Sequence, residues 1–263
     1  MLITIRDLVN QSWNLYKDNF KLFAKIAAWL LIPAVVFSFL PTSGIKTAVL
    51  APLSLFSSVV FFLLGLFISV ALTFAAGALL KKEKITLKNI YNLSYAKLLS
   101  YLWVCVLSGA AIAGAPAILI ILGAILQIGL FIDLGLIFVF VPGIIFAVWF
   151  SFGSYILIFE DIKGARALGA SKTLTKDYFW SVLWRWFASY FIYGLLATFA
   201  IFILVYIIGI IVGAPGAGFA EVTPWWSALI SNFVSLFALP PLTIIGVILY
   251  NGLKKEKSTI TKQ

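Results

Sequence analysis

Six stretches of this chain contain no charged residue, and their length sets the fold class. No Asp, Glu, Lys or Arg occurs in 26–45, 47–80, 98–132, 134–159, 186–220 or 222–253. A helix crosses the roughly 30 Å hydrocarbon core of a bilayer with about 20 apolar residues, and every run reaches that length. A water-soluble domain carries about a quarter charged residues; here 63% of residues are hydrophobic and 11% charged. The sequence therefore predicts an all-α polytopic membrane protein with six transmembrane helices, near 24–40, 50–80, 98–126, 132–159, 180–212 and 225–252. No small-residue cleavage site follows a short positive region, so the first span is expected to be retained.

The net charge of +10 would suggest nucleic acid in a soluble protein. Its distribution points elsewhere. All but one of the 19 Lys and Arg residues lie in 1–25, 81–97, 163–185 or 254–262, the exception being Lys46. Those four segments fall on alternate ends of the spans, the pattern of the positive-inside rule. The expectation is a plasma-membrane protein with both termini cytoplasmic, three short outer connections near 41–49, 127–134 and 213–225, and no nucleic-acid partner.

The basic segments are also patterned. Residues 4–23 place Ile5, Leu8, Ser12, Tyr16, Phe20 and Phe23 at helical spacing, with polar residues between them. Thr4 followed by Asp7 offers an N-terminal cap. Such an amphipathic helix lies in the headgroup plane or packs on the protein's own spans. Ser12, Leu15, Lys17, Asp18 and Phe20 recur at one constant offset as Ser171, Leu174, Lys176, Asp177 and Phe179. Between them, residues 86–97 read as a second short amphipathic segment, with Tyr91-Asn92-Leu93 laid over Trp13-Asn14-Leu15. The chain thus reads as one membrane domain, 1–263, of three helical-hairpin repeats, 1–80, 81–161 and 162–253, with a disordered basic tail at 254–263. Two spans per unit make the repeats parallel.

Residues able to do chemistry are sparse. His is absent and Cys105 is the single cysteine, which removes the commonest general base and any Cys/His zinc site. No Gly-rich phosphate loop with its Lys is present. Glu160 and Asp161 are neighbours, so on a helix they point about 100° apart and make no working carboxylate pair. No catalytic residue, cofactor site or metal site is expected. Polar residues within the spans, among them Ser54, Ser57, Ser69, Ser108, Ser154, Asn232 and Ser235, are read as helix-to-helix hydrogen bonding.

Two groups of residues remain as candidates. Lys17, Lys21, Lys172, Lys176 and Arg185, with Trp180 and Trp184, suit anionic lipid headgroups or a protein partner at the inner face. Pro33, Pro116, Pro142, Pro240 and Pro241 lie inside spans and are candidate helix-break positions.

The pieces SWNLYKDNF (12–20), VPGIIFAVWFSFGSYILIFED (141–161) and ALGASKTLTKDYFW (167–180) resemble a large group of bacterial and archaeal integral membrane proteins. That group includes the membrane domain of some glycerophosphoryl diester phosphodiesterases. The resemblance implies a six-span bundle and no activity, because the chemistry of those enzymes belongs to a separate barrel with His and acidic metal ligands. The functional expectation is a non-enzymatic scaffold or accessory subunit; a transporter or channel-like protein for a lipid or other apolar solute is the alternative. A cavity lined by Ser54, Ser57, Ser108 or Ser154 would favour the alternative.

Overall fold

Thr4 starts the first helix: its hydroxyl oxygen accepts from the Asp7 amide at 3.2 Å and its proton goes to the Asp7 carboxylate at 2.7 Å, satisfying a donor that the helix cannot. The computed structural model describes residues 3–39, 47–213 and 224–260. Among the described residues there are helices and turns but no strand. In order they are α1 (Ile5–Asp18), α2 (Phe20–Ala27), a 3-10 turn (Ala28–Leu30), α3 (Leu31–Phe39), α4 (Thr47–Leu80), α5 (Leu87–Leu126), α6 (Gly129–Phe150), α7 (Gly153–Glu160), α8 (Gly164–Thr175), a 3-10 turn (Lys176–Tyr178), α9 (Phe179–Ile211) and α10 (Trp225–Ile260). Among the described residues, five helical stretches are long and apolar enough to cross a membrane: Ala51–Leu80, Leu87–Leu126, Gly129–Glu160, Gly164–Ile211 and Trp225–Thr259. The N-terminal pair Ile5–Asp18 and Phe20–Val36, bent by 84°, adds a sixth if it is counted as one span. The protein is an all-α, multi-pass membrane protein.

Three expectations change. The helix read over 4–23 breaks at Asn19, whose side-chain amide donates to Leu15 O at 3.0 Å. An Asn that bonds the preceding turn competes with the next helical bond and favours a stop. Tyr16 bridges the corner, its ring edge-on to Phe20 at 5.6 Å. Next, residues 86–97 are no separate segment. Thr86 caps α5 by accepting from the Asn89 amide at 3.4 Å, and one helix of 40 residues continues to Leu126. No glycine or proline interrupts the passage from the polar to the apolar part, so nothing stops propagation. Finally, Lys254–Ile260 is helical, as the last turns of α10; Glu160 and Asp177 bind Lys254 and Lys257 there. The expected outer connections near 41–49 and 213–225 lie largely outside the described residues.

Helix ends are closed by left-handed residues. Lys82 (φ 59) ends α4 while the Glu83 amide reaches Ala78 O at 2.9 Å. Gln127 (φ 56) ends α5 in the same way, with the Ile128 amide on Gly123 O at 3.0 Å. Both satisfy carbonyls that a helix end leaves unpaired.

The described contacts group into two compact units. The first comprises Met1–Ile3, Tyr95–Trp186 and Leu249–Gln263; the second comprises Thr4–Ser94 and Phe187–Ile248. These divisions fall inside α5, α9 and α10. The first unit is centred on buried Phe152, Ile156, Leu157, Ala167, Tyr250 and Leu253. The second is centred on Leu8, Phe23, Ile26, Leu72, Ile244 and Ile245.

Candidate functional site

In the first unit, the break between α6 and α7 is closed by side-chain hydrogen bonds from α8. The chain turns at Ser151 and Phe152, which leaves backbone groups that no helix can pair. Ser171 on α8 supplies both partners. Its hydroxyl donates to Trp149 O at 2.7 Å and accepts from the Phe152 amide at 3.1 Å. Thr175, one turn on, donates to Ser171 O at 3.0 Å. Gly153 lets α8 come close, because a Cβ there would stand 2.7 Å from Leu168 Cδ2. The interruption sits here and not at Pro142, across which α6 continues.

On the surface of this unit, Lys176, Trp180, Trp149 and Ile145 line an open depression of about 450 Å3. Asp177 and Ser181 complete its polar edge. Lys172 lies over the Trp149 ring with its ammonium 4.2 Å from the centroid, an attractive placement for a cation. Lys172, Lys176, Trp180 and Trp184 are exposed. Arg185 is placed otherwise. Its guanidinium donates to Ile3 O at 2.8 Å and to Ser181 O at 2.9 Å, so it joins backbone carbonyls within the protein.

The adjacent acids diverge to different helices. Glu160 accepts from the Tyr250 hydroxyl and pairs with Lys254 at 3.0 Å, both on α10. Asp161, in the left-handed region at φ 57, pairs with Lys97 on α5. The Lys97 hydrogen bond and charge hold its carboxyl below the usual carboxylate range. Lys257 donates to Thr173 O and lies 3.8 Å from Asp177. Among the described residues, no three Cys, Asp or Glu side chains converge as metal ligands would.

In the second unit, α1 turns its apolar stripe onto the protein. Leu8, Ser12 and Tyr16 are buried, and Ser12 shares a 2.9 Å hydrogen bond with the Tyr193 hydroxyl of α9. Lys17 and Lys21 are exposed. A cavity of about 440 Å3 opens between α3, α4 and α10. Its walls include Phe61, Phe62, Leu66, Leu72, Leu236 and Leu239, and its polar edge is Ser69, Asn232, Ser235 and Thr243. None of Ser54, Ser57, Ser108 or Ser154 lines it. Ser54 and Ser108 instead donate to Ala51 O and Val104 O of their own helices.

The helical assignment runs across Pro116, Pro142, Pro240 and Pro241. Pro33 follows the 3-10 turn Ala28–Leu30, inside the continuous helical stretch Phe20–Val36. Pro240 lines a separate cavity of about 130 Å3 with Tyr16, Phe233 and Phe237.

A regularity links three helix starts. α1, α5 and α8 begin at Ile5, Leu87 and Gly164. Leu8, Ile90 and Ala167 then occupy the same place in each, and all are fully buried. About one turn later stand Ser12, Ser94 and Ser171, also fully buried. This register pairs Ser94 with Ser12. It differs by one helical turn from the alignment of Tyr91-Asn92-Leu93 with Trp13-Asn14-Leu15, a slip that keeps the same helix face and is therefore hard to detect in a sequence. Gly65, Ser94 and Tyr250 carry no distinguishing sequence pattern, each being one isolated Gly, Ser or Tyr in a long helix. No family model, no curated protein and no solved structure matches this chain.

Proposed function

We propose that the protein is a non-enzymatic scaffold or accessory subunit of a prokaryotic plasma membrane, with six crossings and both termini cytoplasmic. The sixth crossing is the stretch Phe20–Phe39, about 30 Å long at helical rise. α1, bent away from it by 84° in the pair that ends at Val36, stays at the inner face. Three repeats, beginning at α1, α5 and α8, fit the recurring buried Leu8/Ile90/Ala167 and Ser12/Ser94/Ser171 positions. The basic segments then all fall on one side, in keeping with the positive-inside rule. The resemblance to the membrane domain attached to some glycerophosphoryl diester phosphodiesterases agrees with a membrane role without its own chemistry.

The observation that carries this reading is the exposure of Lys17, Lys21, Lys172, Lys176, Trp180 and Trp184 on helices whose other faces are buried. Cations and indole rings held outward at span ends suit anionic headgroups, a cytoplasmic protein surface, or both. Native mass spectrometry of the protein released gently from its own membrane tests it. A stoichiometric protein partner, weakened when Lys172 and Lys176 become Gln, supports the scaffold role. Absence of any partner across mild detergents and polymer discs overturns it.

A second reading, transport of a lipid or other apolar solute, is favoured by the 440 Å3 cavity among α3, α4 and α10. It requires that cavity to open alternately to two sides of the membrane.

A further inference from the structure

The cavity of the second unit is apolar in a way that selects its occupant. Its hydroxyls are already committed within their own helices: Ser69 donates to Gly65 O at 2.9 Å, Ser235 to Ser231 O at 2.7 Å and Thr243 to Leu239 O at 3.0 Å. The Asn232 amide nitrogen turns to the Ser38 hydroxyl at 3.4 Å. Most of what faces the space is the hydrocarbon of Phe61, Phe62, Leu66, Leu72, Leu236 and Leu239. A hydrogen-bonding solute entering here would lose its water without full replacement.

Gly65 contributes the space itself. It lines the cavity, and a Cβ built on it meets nothing within 4 Å. The rim is open at Phe62 and Leu239, which are 54% and 39% exposed. Both lie inside uncharged, membrane-crossing stretches, so the surroundings of the rim are lipid chains and not water. The volume is about three times the ~150 Å3 apolar cavity that takes up one benzene ring. That is room for on the order of 18 carbon atoms.

We propose that this cavity binds one hydrocarbon chain of a membrane lipid, which enters past Phe62 and Leu239 and lies against Gly65. The inference rests on the reading that α4 and α10 are embedded in the bilayer. It holds for a scaffold with a resident lipid as well as for a carrier.

The test uses the full chain in vesicles of phosphatidylethanolamine and phosphatidylglycerol containing a phospholipid with a photoactivatable diazirine in mid-chain. Cross-linked peptides are then mapped by mass spectrometry. Labelling is expected on the α4 peptide with Phe61 to Leu72 and on the α10 peptide with Leu236 and Leu239. Gly65→Leu, which fills the space from α4, should lower that labelling on the order of tenfold, since each displaced methylene loses its apolar contact. Ser235→Phe fills it from the opposite wall and should do the same. Labelling on Phe199 and Phe202, exposed residues of α9, should stay unchanged in both variants. If it does, and cavity labelling also stays unchanged in both, the site is overturned. If Phe199 and Phe202 are unlabelled in the unaltered protein, the membrane reading itself has failed.

Discussion

The hydroxyl of Ser171 stands 2.7 Å from the carbonyl oxygen of Trp149 and donates to it, while accepting from the Phe152 amide at 3.1 Å. One side chain of α8 thereby satisfies both sides of the break between α6 and α7.

Ser171→Ala leaves the buried Phe152 amide without its partner and takes from Trp149 O its nearer donor, Thr175 remaining at 3.5 Å, at a cost of about 1–3 kcal/mol. Ser94→Ala, at the matching place in α5, removes a single bond to Ile90 O at 2.7 Å within its own helix and should cost about 0.5–1.5 kcal/mol. Thermal unfolding in one detergent should therefore give a clearly larger drop in Tm for Ser171→Ala. Equal drops would mean that the break is not held by Ser171.

Gly153 and Leu168 form a close pair, the added Cβ falling 2.7 Å from Leu168 Cδ2. Gly153→Val should destabilise by about 1–3 kcal/mol through overpacking. Leu168→Ala opens space, so the double variant should be less destabilised than the sum of the two single ones. A double-mutant cycle measures this coupling, and strict additivity would sink the contact.

Asp161 and Lys97 give an acid-sensitive tie. The carboxyl of Asp161 is held below its unfolded value near 3.9 by the Lys97 hydrogen bond and charge. Its contribution is fully present above that unfolded value and is lost as pH falls through the lower folded one. The stability difference between the unaltered protein and Asp161→Asn should be constant from neutral pH to about 5 and shrink below about 4. Because the Asp161 side chain is 64% exposed, raising salt at neutral pH should also shrink it. A difference that grows in acid would contradict the pairing.

The proposed orientation is open to thiol labelling in a Cys105→Ser background. Ser171 is buried and makes a poor probe, so the inner side is probed at the exposed Thr173. Thr173→Cys should react only after the membrane is made permeable, whereas Ser43→Cys and Gly218→Cys should react with an impermeant reagent from outside. Reversal at any of the three breaks the six-span arrangement.

Lys172, Lys176 and Lys17 are exposed, and replacing all three with Gln should weaken binding of anionic lipid by the detergent-extracted protein by on the order of a hundredfold, at about 1 kcal/mol per cation. Arg185→Gln should act differently. It loses the bonds to Ile3 O and Ser181 O, so it should lower Tm by several degrees, about 2–4 °C per kcal/mol for a chain of this length, with little change in lipid binding. An Arg185→Gln variant with unchanged Tm and weakened lipid binding would return that residue to the headgroup group.

Much of the helical layout was legible because it depends on local composition. The uncharged runs and the Thr4–Asp7 cap follow from residues close together in the chain; Glu160 and Asp161 do part, but because Asp161 leaves the helix end at φ 57 and not through helical spacing. The breaks at Asn19 and at Ser151–Phe152 were not legible, because neither falls on a proline. A proline inside a helix removes one helical bond; whether the helix then stops depends on what is available to satisfy the freed groups. At Ser151–Phe152 that partner is Ser171, on another helix. The seven basic and aromatic candidates separate for the same reason: Arg185 turns inward because Ile3 O lies within reach, and Lys172 lies along the Trp149 ring.

Length and charge pattern alone thus determined that this chain is an all-helical membrane protein, because burying uncharged runs in hydrocarbon outweighs every local preference. Tertiary structure decided which serine closes a helix break, which cation faces outward and where an apolar cavity opens beside Gly65. Those outcomes depend on residues far apart in sequence meeting at distances of a few ångströms, and no one-dimensional pattern encodes such a meeting.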